Sequence, residues 1–174
     1  PARVSPVVIS VFLPLHSVVS KRSWGVGDYT DLASLVAWAR QTARATVGTL
    51  PLFSTFLDRP FDPSPYTPVS RLFWSELFVD PGASPEFARS QREDPRLVTR
   101  WRHRAAALRR GAIVDYQRVM ALKHEMLTAL APLARSSAAR RAEIVSAAAE
   151  DPDLAAYARF LVAAHRMGIG RPAV

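Results

Sequence analysis

Residues 62–80 read DPSPYTPVSRLFWSELFVD, and the rest of the chain is best read outward from them. Pro63, Pro65 and Pro68 remove backbone donors and fix φ, which excludes both a helix and a central strand and predicts a stiff, exposed loop. Tyr66 sits in the middle of that loop. From Leu72 the composition turns to Phe73, Trp74, Leu77, Phe78 and Val79, apolar residues that must be buried. The loop is therefore anchored just beyond the aromatic it presents, an arrangement suited to binding. The apolar spacing of residues 76–80 predicts an extended segment.

Upstream, Pro6 to Leu15 (PVVISVFLPL) is a nearly continuous apolar, β-branched run, the pattern of a strand buried on both faces of a parallel sheet. Gly25 and Gly27 allow tight backbone before a helix, and Asp28 or Thr30 can cap its first free N–H groups. Leu32, Leu35, Val36 and Ala39 recur at helical spacing and predict an amphipathic helix over Asp31 to Thr42. Ala45 to Phe53 (ATVGTLPLF) predicts the second strand. This strand-helix-strand unit implies right-handed parallel pairing, and the loop from Asp58 to Ser70 then follows the C-terminal end of a strand. The Gly-Val-Gly lacks the third glycine and the Gly-Lys-Ser/Thr of a phosphate cradle, so nucleotide binding is discounted.

Downstream, Pro81 to Pro95 predicts a partly irregular connection with a short helical turn. Leu97 to Leu108 reads as a basic helix stopped near Gly111. Asp115 is placed to cap a helix whose stripe runs through Val119, Leu122, Lys123, Met126, Leu127 and Leu130 and ends before Pro132. Ala138 to Glu150 and Asp153 to Met167 predict two more helices, with Pro152 suited to the start of the second. Two strands followed by four helices make an incomplete barrel.

The chain has 174 residues, 49% hydrophobic and 22% charged, which suits one folded unit with a sizeable core rather than disorder. With no cysteine, disulfides and thiolate metal sites are excluded, and a reducing cytoplasm is the expected location. No apolar run is long enough to span a bilayer, and there is no signal-peptide pattern. The chain opens at Pro1 rather than Met, and a missing natural start is expected. A net charge of +8 raises nucleic acid as a partner. The arginines between Arg89 and Arg110 lack aromatic interleaving, however, and read as a solvated helix face. Neither nucleic acid nor membrane is expected.

Three blocks in order carry a resemblance: RSWGVGDYTDL from Arg22, TLPLF from Thr49 with the Asp62 to Ser70 loop, and VDYQRVMALKHEML from Val114. Together they resemble the 4-α-glucanotransferases, the amylomaltase or disproportionating-enzyme family, over about Val8 to Tyr157, weakly between Pro81 and Gly111. The resemblance implies an α/β fold, the N-terminal part of a (β/α)8 TIM barrel with an inserted or following helical region. Residues 1–80 would be the first βαβ unit with active-site loops, residues 81–174 the helical region, and the chain truncated. It implies transfer of α-1,4-glucan segments between maltooligosaccharides by a retaining double displacement, with no metal or cofactor. Donor and acceptor glucans would be the partners.

That chemistry needs two carboxyls roughly 5–5.5 Å apart. Glu76 and Asp80, if extended, lie about 13 Å apart, and Asp58 and Asp62 share a loop of unknown shape. The resemblance places the family's catalytic carboxylates on later strands, so no residue here is expected to be catalytic. It matches Tyr66 to a tyrosine that packs on the donor sugar, and Ser64 and Ser70 to positions that hydrogen-bond sugar or hold that tyrosine. Ser75 stands where asparagine is usual and His16 where tyrosine is usual. Trp24 and Asp28 fall on the same face, with packing and capping as alternatives to sugar contact. The four histidines show no metal-ligand spacing. Two rival readings are a non-catalytic glucan-binding fragment and an α/β scaffold whose basic helix binds nucleic acid. Phe53, Phe73 and Trp74 are expected to expose apolar surface that further strands would cover.

Overall fold

The computed structural model of the protein describes residues 10–42, 45–55 and 62–166. The first apolar run yields a short strand, β1 (Ser10–Phe12), which pairs in parallel with β2 (Thr46–Gly48), Ser10 facing Thr46 and Phe12 facing Gly48. Between them runs α1 (Tyr29–Thr42), which packs on β2, so the expected parallel strand-helix-strand unit is present. Both strands are shorter than the apolar runs that predict them. Pro14 follows β1 and the chain turns into a single 3-10 turn at Leu15–Ser17, while Pro6 to Ile9 lie outside the described residues.

The predicted strand Ala45 to Phe53 is divided. β2 ends at Gly48, and β3 (Phe53–Ser54) pairs antiparallel with β4 (Ser70–Trp74) in a second two-stranded sheet. Pro51 lies between the two pieces, where a residue without N–H cannot continue a ladder. The segment expected to be extended after β4 is not. Ser75 Oγ accepts the N–H of Leu77 at 3.3 Å and starts a 3-10 turn over Glu76–Phe78. A second turn, Pro81–Ala83, is capped by Asp80, whose Oδ1 takes the Gly82 N–H at 2.9 Å.

Helices then follow, three of their four links a single residue: α2 (Pro85–Glu93), α3 (Pro95–Leu108), α4 (Tyr116–Ser136), α5 (Ala138–Glu150) and α6 (Pro152–Arg166). Asp94, Ser137 and Asp151 are the single residues between successive helices, and each caps the helix after it through its side chain. Asp115 caps α4 as expected. The region before α3, expected to be partly irregular, holds a full helix because Ser84 caps it and Phe87 anchors it in the core. The expected stop before Pro132 does not occur: α4 continues to Ser136. Pro132 falls in the last turns, where Leu130 is buried below it and Ser136 receives Arg89, and these contacts offset the lost backbone bond.

Two apolar clusters share α4 as a wall. Leu15, Val26, Leu52, Leu77 and Phe78 meet Val119 and Met120, and Trp24, Phe87, Val98, Trp101 and Ala105 meet Leu122, Met126 and Leu130. Gly25, at φ 100°, threads the chain between them, where a Cβ would stand 2.8 Å from that of Leu108 and 2.9 Å from Val119 Cγ2. Of the three aromatics expected to lie bare, Trp74 does, at 66% exposure. Phe53 and Phe73 are half-buried, because Phe53 stacks on Trp74 and Phe73 stacks on Tyr157 of α6. The result is a helix-rich α/β unit with two small two-stranded sheets.

Candidate functional site

The β3–β4 hairpin carries the proline loop. Its base is closed by Val69 N–H to Ser54 O and Ser75 N–H to Leu52 O, both at 2.8 Å. Within the loop the Asp62 carboxylate accepts from Ser64 N at 3.0 Å and from the Thr67 hydroxyl at 2.8 Å. Ser64 Oγ in turn accepts the Tyr66 N–H at 3.3 Å. These local bonds are those of an Asx turn, and with three prolines they leave the loop few alternatives. Tyr66 stands out from it, 66% exposed.

Under the loop lies a cavity of about 70 Å³, lined by Pro63 and Pro65 above and by Leu15, His16, Ser75 and Tyr116 among others below. Small-molecule sites run from roughly 300 Å³ upward, so a ring-sized ligand would lie over this hollow rather than in it. His16 meets Tyr116 edge-on, centroids 6.1 Å apart, and its burial lowers its pKa, which keeps the imidazole neutral near pH 7. Tyr116 opens α4, so the third sequence block reaches the wall of the same hollow.

Behind the hollow the first sequence block is tied to β4's exit by charge. Arg22 contacts Asp28 at 2.9 Å, Asp31 at 2.6 Å and Asp80 at 2.5 Å. Asp28 and Asp31 also form a reciprocal cap on α1: Asp28 Oδ1 takes the Asp31 N–H at 2.9 Å and Asp31 Oδ2 takes the Asp28 N–H at 3.2 Å. Burial would push the Asp31 carboxyl up, but hydrogen bonds from Ser23 and Ser20 and the nearby Arg22 charge hold it below the ordinary carboxylate range. Asp80 further accepts from Trp24 Nε1 at 2.8 Å and the Thr30 hydroxyl at 2.9 Å. Lys123, fully buried, sends its ammonium to the carbonyls of Leu77 and Val79, and burial lowers its pKa to about 8.

A model of the family described as 4-alpha-glucanotransferase matches residues 13–170, most of the chain. The chain belongs to the 4-alpha-glucanotransferase family. The 4-alpha-glucanotransferase of Haemophilus influenzae is 37% identical over 132 residues, which take up 72% of this chain and 18% of the relative. That of Mycobacterium bovis is 42% identical over 79 residues, 41% of this chain and 11% of the relative. Among solved structures, the amylomaltase from Corynebacterium glutamicum superposes with a TM-score of 0.60 at 26% identity, over 71% of this chain and 18% of that one. The chain thus spans less than a fifth of the length of these relatives.

Within this glucanotransferase-family chain the sequence-predicted site residues separate into two groups. Tyr66 and Ser64 lie in the hairpin loop and Ser70 opens β4 at its end, and the two serine hydroxyls accept from Tyr66 N and Leu72 N respectively. Ser75, Trp24 and Asp28 are buried at 3%, 0% and 0% exposure and are spent on capping, packing and the Arg22 network. Trp24 and Asp28 are fully enclosed, while Ser75 keeps a small part of its surface at the wall of the hollow. Sequence reasoning placed Lys123 on the apolar stripe of α4 without singling it out, and it missed the bridging role of Arg22; a cation at a core position of a helix was the available signal.

Glu76 and Asp80 belong to separate networks, Glu76 with His124 at 3.6 Å and Asp80 with Arg22, Trp24 and Thr30. Asp58 lies outside the described residues. The expectation of a solvated arginine face on α3 is only partly met. Arg102 stacks over Trp24 with its guanidinium carbon 4.1 Å from the ring centroid, Arg109 donates to Ser23 O at 2.5 Å, and Arg104 pairs with Glu125. Among the described residues no group of three or more His, Asp or Glu is placed to hold a metal ion, and no helix is long and apolar enough to cross a membrane.

Proposed function

We propose that this chain is part of a 4-α-glucanotransferase that moves α-1,4-glucan segments between maltooligosaccharides by a retaining double displacement. In this reading residues 1–80 supply the first strand-helix-strand unit of a (β/α)8 barrel and residues 81–174 a helical region beside it. The observation that carries the reading is the exposed Tyr66 on a loop pinned by Asp62 and Ser64, in a chain of this family. A pyranose has a flat C–H face, and an aromatic ring held still offers it a matching surface at little entropic cost. Ser64 and Ser70 accept from backbone N–H groups and keep their own hydroxyl protons to donate to sugar oxygens.

The catalytic carboxylates are assigned to residues outside this chain. Asp80 is saturated by Arg22, Trp24, Thr30 and Gly82, and Glu76 faces His124. A nucleophile of a glycosyl transfer needs a free oxygen aimed at the anomeric carbon. The test is glucose release and product laddering from maltotriose, comparing this chain with one extended to the length of its relatives. Transfer by the extended chain alone is the expected result. Transfer by this chain alone would overturn the assignment of the carboxylates, and an extended chain that leaves maltotriose unchanged would overturn the transferase reading.

A further inference from the structure

α5 and α6 form an arm that folds back from the end of α4 and touches the rest of the molecule sparingly. α5 buries none of its residues, and Ala164 is the buried apolar residue of α6 among the described side chains. One side chain of the arm nevertheless reaches the hairpin. The Tyr157 ring stacks on Phe73 with centroids 4.2 Å apart and planes 9° from parallel, and Phe160 backs it at 6.2 Å. Its hydroxyl shares a hydrogen bond with the hydroxyl of Ser54.

Those two contacts fall on opposite strands. Ser54 is in β3, opposite Ser70, and its carbonyl accepts the Val69 N–H that closes the loop at 2.8 Å. Phe73 is in β4. A two-stranded hairpin is marginal in water without something packed on a face, and this one has a strand of two residues with a register shift between Phe53 and Ser54. Leu72 and Trp74 leave the other face largely bare, at 75% and 66% exposure. Burial raises the pKa of the Tyr157 phenol more than the Ser54 bond lowers it, so the hydroxyl keeps its proton at neutral pH.

We propose that Tyr157 is a positioning residue for the Tyr66 platform: by stacking on Phe73 and bonding Ser54 it holds both strands of the hairpin at the root of the loop. This rests on the reading of Tyr66 as a sugar platform, although the mechanical link stands on the contacts alone. Tyr157→Phe keeps the stack and removes the hydroxyl, and Ser54→Ala removes its partner. In the chain extended to the length of its relatives, each substitution is expected to raise KM for maltotriose by roughly fivefold, about the worth of one net hydrogen bond. kcat should hold, because the lost interaction serves binding in ground state and transition state alike. The double variant should be no worse than either single, since both remove one shared bond.

Hydrogen exchange gives the second readout in the same proteins and in this chain. Both variants should speed exchange in residues 62–70 and leave α3 and α4 unchanged. Wild-type KM together with wild-type exchange at 62–70 would overturn the proposal, as would faster exchange spread equally through α4. If the wild type leaves maltotriose unchanged, the transferase reading fails separately, and exchange at 62–70 decides the link: faster supports it, unchanged overturns it.

Discussion

Lys123 Nζ donates to the Val79 carbonyl at 2.6 Å and also to that of Leu77, tying the middle of α4 to the turn that follows β4. Removing the side chain leaves two carbonyls without their donor and opens a cavity beside them. Lys123→Ala is expected to destabilise by about 3 kcal/mol or more. Lys123→Met, which retains most of the volume, should cost less, about 1–3 kcal/mol for the unpaired carbonyls. Urea unfolding of the two variants beside the wild type checks the order.

The same ammonium predicts an unusual pH profile. Burial lowers its folded pKa to about 8 from an ordinary 10.5, so between those values the unfolded chain holds a proton that the folded one has released. Stability therefore rises with pH across that window. Tyr29 acts oppositely: burial raises its pKa from 10.0 to about 12, so above pH 10 the unfolded chain loses a proton that the folded one keeps, and stability falls. Denaturation midpoints should climb from pH 8 toward 10 and then decline. Lys123→Met should abolish the climb and leave the decline.

Arg22 bridges three carboxylates with one guanidinium, a geometry a lysine cannot reproduce. Arg22→Ala is expected to cost about 3 kcal/mol, the low end for breaking a buried pair because Arg22 itself is 35% exposed. Arg22→Lys should recover part of this. The folded pKa of Asp31 lies below its ordinary 3.8, so its contribution is present above that value and is lost as pH falls through the folded one. Without Arg22 the loss should begin at higher pH, which an acid titration followed by circular dichroism measures.

Tyr66 is exposed and packs on nothing that the core needs. Tyr66→Ala should therefore leave unfolding free energy within about 0.5 kcal/mol of wild type. In the extended protein it should lower kcat/KM for maltotriose roughly tenfold, the worth of one aromatic contact. Tyr66→Phe, which keeps the ring, should stay near wild type. Equal activity of all three would remove Tyr66 from the site.

The Tyr66 loop was legible because its causes are local: prolines that forbid regular structure, and Asp62 and Ser64 placed to bond their own backbone. The same holds for the cap at Asp115. The site expectations at Trp24, Asp28 and Ser75 behaved differently. The resemblance suited each to sugar contact, yet each is buried: Trp24 by Phe87 and the Arg102 guanidinium, far along the chain, and Asp28 by Arg22 and the start of α1 close by.

Sequence alone pointed to the first strand-helix-strand unit, to the presence of α1 and of α3 to α6, and to the family, since capping side chains, apolar periodicity and the three motif blocks act or read over a few residues. Tertiary structure alone decided that Ala45 to Phe53 divides between two sheets, that α4 runs past Pro132, and that Lys123 turns inward to Leu77 and Val79. Each of these sets a local penalty, a broken ladder, a missing N–H or a desolvated charge, against contacts made across tens of residues. Only the folded chain brings both sides of that balance together.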